Sequence, residues 1–199
     1  MAYQLSDINF KTVADPKGFI EECDEVYRRR VETAADKIIE NRKNSPIVLL
    51  SGPSGSGKTT TARKISEELE RKGVHAHYVG MDDYFVTVDP ATAPRTAEGE
   101  IDLESPLCLD MELLNEHFDL LAQGKRIYVP KYEFSRQMRM FEPSKSIKLK
   151  KDEIVVFEGI HALNDMITER HPEAFKLYIS ARSNVEFNGS VVFKGTWFR

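Results

Sequence analysis

Cysteine is scarce in this chain: Cys23 and Cys108 are the only two among 199 residues. Two thiols so far apart make neither a disulfide framework nor a metal cluster. Both sit in apolar patterns and are expected to be buried thiols of a reducing compartment. Long apolar runs are missing too. None approaches the roughly 20 residues that span a bilayer, and Met1 to Phe10 lacks the apolar stretch of a secretory leader. The expectation is therefore no membrane and a cytoplasmic location, and Asn188-Gly189-Ser190 reads as a turn rather than a glycosylation site. A surplus of positive charge is absent: 28 Lys and Arg face 32 Asp and Glu, a net charge of −4. No nucleic-acid surface is expected on that balance. There is no internal repeat and no low-complexity tract. The single tryptophan, Trp197, is expected to pack. What remains, 41% hydrophobic and 30% charged, is the composition of a globular domain of ordinary size.

Against that background one segment stands out. Gly52-Pro53-Ser54-Gly55-Ser56-Gly57-Lys58-Thr59 completes the pattern G-x-x-x-x-G-K-[ST], which builds a phosphate-binding loop. The apolar run Ile47 to Leu50 enters it like a buried strand, and Thr60 to Leu69 leaves it like a helix. Glycines let the backbone curl until several N–H groups face one phosphate. The following helix adds its positive end. Lys58 can then reach the outer phosphates and Thr59 can ligate Mg²⁺. Gly52, Ser54, Gly55, Ser56, Gly57, Lys58, Thr59 and Thr60 form the expected ATP site.

The rest of the chain alternates strands and helices. Pro16 to about Arg42 is a long helical pattern, with Phe19, Ile20, Cys23, Val26, Tyr27, Val31, Ala34, Ala35, Ile38 and Ile39 on one face. Residues 1–15 are weakly patterned. Strands are expected at Val74 to Gly80, Arg126 to Pro130, Ile154 to Phe157 and Phe175 to Ser180. Helices are expected at Asp110 to Gln123 and Leu163 to His171. Met81 to Gly99 is a long loop, and Lys131 to Lys151 carries a hairpin. Such alternation argues for a three-layer α/β sandwich of the P-loop NTPase type around a mostly parallel sheet. It divides into a helical extension over residues 1–45 and a kinase-type domain over 46–199. Ligands then bind at the carboxyl ends of the strands, where Ser51–Thr59, Gly80–Phe85 and Glu158–His161 fall.

Those ends carry acids. Asp82 and Asp83 directly follow a strand. A carboxylate there can accept a hydroxyl proton and orient the oxygen for in-line attack; two turn-forming residues would look the same. Asp82 is favoured as the base and Asp83 as a supporting carboxylate. Glu158 ends an apolar strand, the position of a metal-associated acid. His161 lies just beyond, able to face phosphates or to serve structure. His75 and His77 alternate on a strand and read as surface residues. Glu100 to Pro106 alternates acids with apolar residues, and Tyr132-Glu133-Phe134 brings aromatics beside Arg136 and Arg139. Either could meet a polar acceptor, or be an ordinary edge and hairpin.

Taken together, GPSGSGKTT at 52–60, MDDYF at 81–85, EGEIDLESPLCLD at 98–110, VPKYEFSRQMR at 129–139, VVFEGIHALN at 155–164 and KLYIS at 176–180 resemble the uridine kinase and phosphoribulokinase family. Order and spacing agree over about residues 46–180. The resemblance implies Mg²⁺-dependent transfer of the γ-phosphoryl of ATP to a small hydroxylated acceptor. It implies catalytic roles for Asp82 and Lys58 and metal roles for Thr59 and Glu158. It implies an acceptor pocket of Asp82, Tyr84, Phe85, Leu103, Glu104, Tyr132, Glu133 and Phe134, with Arg139 as a nearby cation. Two positions depart from uridine–cytidine kinases: Leu103-Glu104 replaces an aromatic–Asp pair, and Gln137 replaces a histidine. The long N-terminal helix is also atypical.

A further departure is at the end. Ser183 to Arg199 reads as a hairpin, Val185–Phe187 and Val191–Phe193 around Asn188-Gly189, where the family has an arginine-rich lid helix. Arg182 and Arg199 are the only arginines there. The expectation is a C-terminally truncated fragment that binds ATP and turns over slowly.

The leading expectation is a small-molecule kinase, with nucleoside the best single acceptor, then a sugar phosphate or another small alcohol. A catalytically weak nucleotide-binding module is the alternative, and a possible homo-oligomer is compatible with either. A nucleotide-hydrolysing switch lacks its N-K-x-D segment.

Overall fold

The computed structural model describes residues 2–180 and 183–197, so Arg182 and Arg199 lie outside the described residues. A short strand β1 (Tyr3–Gln4) leads into helix α1 (Leu5–Ala14) and then the long helix α2 (Pro16–Asn41). Asp15 accepts the N–H of Gly18 and Pro16 occupies the first turn, which fixes the start of α2. Strand β2 (Ile47–Ser51) runs into the phosphate-binding loop and helix α3 (Lys58–Arg71). Strand β3 (Ala76–Gly80) follows, and then a long connection with two 3₁₀ turns at Met81–Tyr84 and Pro106–Cys108. Helix α4 (Met111–Ala122) is capped by Asp110, which accepts the N–H of Leu113. Strand β4 (Ile127–Val129) precedes the small hairpin β5 (Tyr132–Glu133) and β6 (Met138–Arg139). Strand β7 (Lys145–Ile147) returns antiparallel to β4. Strand β8 (Ile154–Glu158), helix α5 (Asp165–Thr168) and strand β9 (Phe175–Tyr178) complete the central unit. The hairpin β10 (Val185–Phe187) and β11 (Ser190–Phe193) comes last.

The central sheet is wholly parallel, in the order β3-β8-β2-β9. Strands β2 and β8 are buried on both faces, which is why they read as unbroken apolar runs. Side chains alternate across the sheet. Ile47, Leu49, Val155 and Phe157 enter one core with Phe118 and Leu121 of α4. Val48, Leu50, Ile154 and Val156 enter a second with Ile65 and Leu69 of α3 and Ala35 and Ile38 of α2. Helices on both faces give the expected three layers. From β2 the chain passes to β3 on one side and returns through β8 to β9 on the other. The carboxyl end of β2 therefore sits where the winding reverses, the place such sheets bind ligands.

Several expectations change. Residues 5–14 form a helix without a buried residue; its strand β1 is held by parallel pairing of Tyr3 with Val185 and Gln4 with Glu186. A partner some 180 residues away leaves no local pattern. Cys23 is exposed, because only the second half of α2 reaches the sheet; Val31, Ala35 and Ile38 are its buried positions. Cys108 is buried as expected. The helix at Leu163–His171 shortens to Asp165–Thr168, started by the Asn164 side chain on the N–H of Met166. Trp197 is exposed and, among the described residues, meets the Phe193 ring edge to face. The Asn188-Gly189 turn forms as read, with φ of 49° and 78°, the positive pair of a type I′ hairpin turn. Among the described residues no helix is long and apolar enough to cross a membrane.

Candidate active site

The phosphate-binding loop is shaped by what cannot be there. A Cβ on Gly52 would lie 2.2 Å from the carbonyl oxygen of Ile179 and 2.9 Å from Ser56 Oγ, so β9 and the loop close on this position. Gly55 and Gly57 take φ of 74° and 84°, a region that side chains avoid. Gly57 begins α3 with no side-chain cap, leaving the positive end of a 14-residue helix open to an anion. Ser56 Oγ is buried and has no hydrogen-bond partner among the described residues. A buried hydroxyl without a partner costs about 1–3 kcal/mol, and a phosphate oxygen in the loop would satisfy it. Lys58 Nζ donates to the carbonyl of Pro53 at 3.1 Å and stands 3.9 Å from Glu158 Oε1. Ser54, Thr59 and Thr60 reach solvent around the loop.

Glu158 is nearly buried at the end of β8, and the Tyr78 hydroxyl donates to its Oε2 at 2.6 Å. The same hydroxyl interacts with Thr59. Tyr78 thus joins the two expected metal-holding residues. Its own ionisation is pushed up by burial and then by Glu158. Sequence reasoning missed it, because a tyrosine inside a strand looks like β-propensity alone. Asp82 is the second residue of the 3₁₀ turn after β3. Burial first, and then the Glu158 charge, push its carboxyl up; Lys58 and His161 oppose this. Asp82, Glu158, Lys58 and His161 therefore share one electrostatic neighbourhood, assembled from the ends of three adjacent parallel strands. Two carboxylates beside a lysine and a threonine hydroxyl offer the hard oxygen donors that Mg²⁺ prefers. The residues present fit both the anion and the metal.

Around this centre the expectations divide. Asp83 accepts the backbone N–H of Tyr132, and burial raises its ionisation against the nearby Lys145 and Lys131. Phe85, Tyr132 and Phe134 come together, with ring centroids 5.5, 5.8 and 4.9 Å apart. Phe134 is exposed and Tyr132 buried beneath it. Glu104 is exposed, and its carbonyl accepts His161 Nε2–H at 2.7 Å. His161 thus ties the 100–106 segment to the end of β8 and keeps Nδ1 for other work.

Two of the expected acceptor-pocket residues are engaged by other partners. Tyr84 has no exposed surface, and its hydroxyl is hydrogen-bonded to His117 Nδ1 at 2.7 Å inside the core, so its side chain offers nothing to a ligand. Arg139 is a clasp rather than a free cation. Its guanidinium donates to Asp110 Oδ2 at 2.7 Å and to the carbonyls of Tyr84 and Phe85 at 2.8 and 3.2 Å. It fastens the β5–β6 hairpin to the turn that carries Asp82.

Beside the loop, a cleft of about 820 Å³ opens between α2, the start of α3 and the end of β9. Its walls include Tyr27, Arg30, Gly57, Thr60, Thr61 and Tyr178. The Tyr27 and Thr61 hydroxyls are hydrogen-bonded at 2.8 Å, which ties α2 to α3 at the cleft floor.

Comparison with known proteins agrees with this geometry. The profile described as "Phosphoribulokinase / Uridine kinase family" matches residues 47–192. A uridine kinase of Deinococcus deserti is 30% identical over 141 residues, covering 71% of this chain and 64% of that protein. One from Alkaliphilus metalliredigens is 35% identical over 123 residues, covering 61% and 56%. The chain thus spans somewhat over half the length of these relatives. Among solved structures, a putative fructose transport system kinase from Silicibacter has a TM-score of 0.58 at 16% identity, over 74% of this chain and 73% of that one. A possible uridine kinase from Bacillus stearothermophilus has 0.52 at 23% identity, over 66% and 68%. At those identities the structures establish the fold alone.

Proposed function

Since the chain belongs to the phosphoribulokinase and uridine kinase family, we propose that it transfers the terminal phosphoryl group of ATP to a hydroxyl of a small molecule, with a nucleoside the acceptor that fits best. The observation that carries this reading is the convergence of Lys58, Asp82 and Glu158 on a loop with an unsatisfied buried hydroxyl at Ser56.

Each residue has a task. The backbone of Gly52–Thr60 and the open end of α3 hold the phosphates. Lys58 neutralises the charge that grows on the transferred group. Thr59 and Glu158 would hold Mg²⁺, with Tyr78 fixing both; the ion supplies charge neutralisation across the outer phosphates. Asp82 accepts a hydrogen bond from the acceptor hydroxyl, points its oxygen along the line of attack and takes the proton as the bond to phosphorus forms. Burial and the Glu158 charge raise its ionisation, which makes it a better base than an ordinary aspartate. The rings of Phe85 and Phe134 supply an apolar face for a planar base, and Glu104 supplies a carboxylate beside it. The cleft bounded by Tyr27 and Arg30 has room for the nucleoside half of ATP.

A thermal-shift titration with a non-hydrolysable Mg·ATP analogue and a panel of uridine, cytidine, ribulose 5-phosphate, pantothenate and simple sugars tests the acceptor. Lys58→Ala serves as the blank. Ligand at about 100 times its Kd adds roughly 2.7 kcal/mol. Added stability from uridine or cytidine on top of the nucleotide is expected. Stabilisation by a sugar phosphate or pantothenate alone would move the acceptor to that class.

A further inference from the structure

At the opposite end of the sheet from the phosphate loop stands a group of ligands that phosphoryl transfer does not use. His75 and His77 are alternate residues at the start of the edge strand β3, so they project to the same side; their rings meet edge to face with centroids 4.7 Å apart. Glu153 lies beside them, immediately before the neighbouring strand β8. The N–H of Ile154 donates to the His75 carbonyl at 3.0 Å, and Ala76 is paired with Ile154. One potential donor atom from each of His75, His77 and Glu153 lies within 4.8 Å of the others.

We propose that His75, His77 and Glu153 bind a divalent first-row transition ion of the zinc class. Two imidazoles and one carboxylate are a donor set such ions favour and Mg²⁺ does not. The surroundings suit the role. Glu70, near the end of α3, is hydrogen-bonded to His75 Nδ1. That bond fixes the ring and leaves Nε2 for a metal, the usual arrangement of a carboxylate behind a ligating histidine. Glu153 Oε2 accepts His77 Nε2–H and the backbone N–H of Lys150, each at 3.0 Å, so its carboxylate is already oriented. The Lys150 ammonium lies 3.5 Å from Glu153 Oε1, but its side chain is 86% exposed and free to swing away. Three protein ligands leave a position for water. Most of β3 runs between His77 and Asp82, a span on the order of 16 Å at about 3.3 Å per residue, so the group is distinct from the Mg²⁺ site. An ion here would bridge the edge strand β3, the start of β8 and, through Glu70, the end of α3.

The test is a zinc titration of the untagged, chelator-stripped chain in competition with a chromophoric zinc chelator, with about a tenfold excess of Mg²⁺ present throughout. One zinc per chain is expected. Binding should weaken at least tenfold in His77→Gln and in Glu153→Gln, and persist unchanged in Glu158→Gln and Cys23→Ser. Circular dichroism establishes that each variant is folded. Because His75 is half exposed, His75→Asn serves as the alternative should His77→Gln unfold. Zinc binding that survives these strand substitutions, that is lost in Glu158→Gln or Cys23→Ser, or that Mg²⁺ abolishes would overturn the proposal, as would the absence of stoichiometric binding.

Discussion

Tyr78 governs how firmly Glu158 is held, because its hydroxyl is the nearest donor to that carboxylate. Partners of this kind typically change metal affinity 10- to 100-fold. Tyr78→Phe is therefore expected to raise the Mg²⁺ concentration for half-maximal activity about tenfold; an unchanged Mg²⁺ dependence would remove Tyr78 from the site. Arg139→Ala tests the clasp. It leaves Asp110 and two carbonyls without their donor, a loss of about 2 kcal/mol seen as a lower urea midpoint. A tenfold rise in acceptor KM at unchanged stability would return Arg139 to the pocket. These two residues mark where residue-level reading stops. Gly52, Lys58 and Glu158 are legible from spacing, because backbone curl and strand ends dictate them. Tyr84 and Arg139 carry the right letters for a pocket. Their fate is decided by His117 and Asp110, 33 and 29 positions away, and no local pattern encodes such partners.

Among the elements, α2 departs most from its simple reading as an added helix. Its second half covers the sheet, and its middle forms one wall of the nucleotide-side cleft through Tyr27 and Arg30. Arg30→Ala is expected to weaken binding of an ATP analogue about fivefold, the worth of roughly 1 kcal/mol, as read by calorimetry. Unaltered affinity would confine α2 to packing. The apolar stripe of α2 was visible in the sequence, but its use was not. Periodicity reveals which residues share a face; it does not reveal that the sheet ends halfway along the helix, leaving Ile20 and Val26 exposed. The strands β2 and β8 were legible because burial on both faces demands continuous apolar runs. The pairing of β1 with β10 was not, since two residues at each end of the chain carry no period.

At the scale of the molecule, two buried histidines make the fold sensitive to acid. His117 and His171 are both held below the usual imidazole value, chiefly by burial. Near His171 the charges of Asp119 and Glu173 oppose that shift without overcoming it. A lowered folded pKa means the unfolded chain binds the proton first. Stability is therefore full above the unfolded value of 6.5 and declines as pH falls from there toward the lower folded values. The urea midpoint is expected to fall between about pH 7 and pH 5, and less steeply in His171→Gln. A midpoint that rises on acidification would contradict the assignment of neutral histidines.

The central claim is that Asp82 directs a phosphoryl group from ATP to an acceptor hydroxyl. Its most direct test is single-turnover ADP formation with Mg·ATP, with and without the nucleoside that stabilises the chain, in the wild type and in Asp82→Asn. ADP should form only with acceptor present, and the rate should fall about 10²- to 10⁴-fold in Asp82→Asn, while the affinity for the ATP analogue stays within about twofold. ADP formation that ignores the acceptor, or that survives Asp82→Asn, would contradict the account.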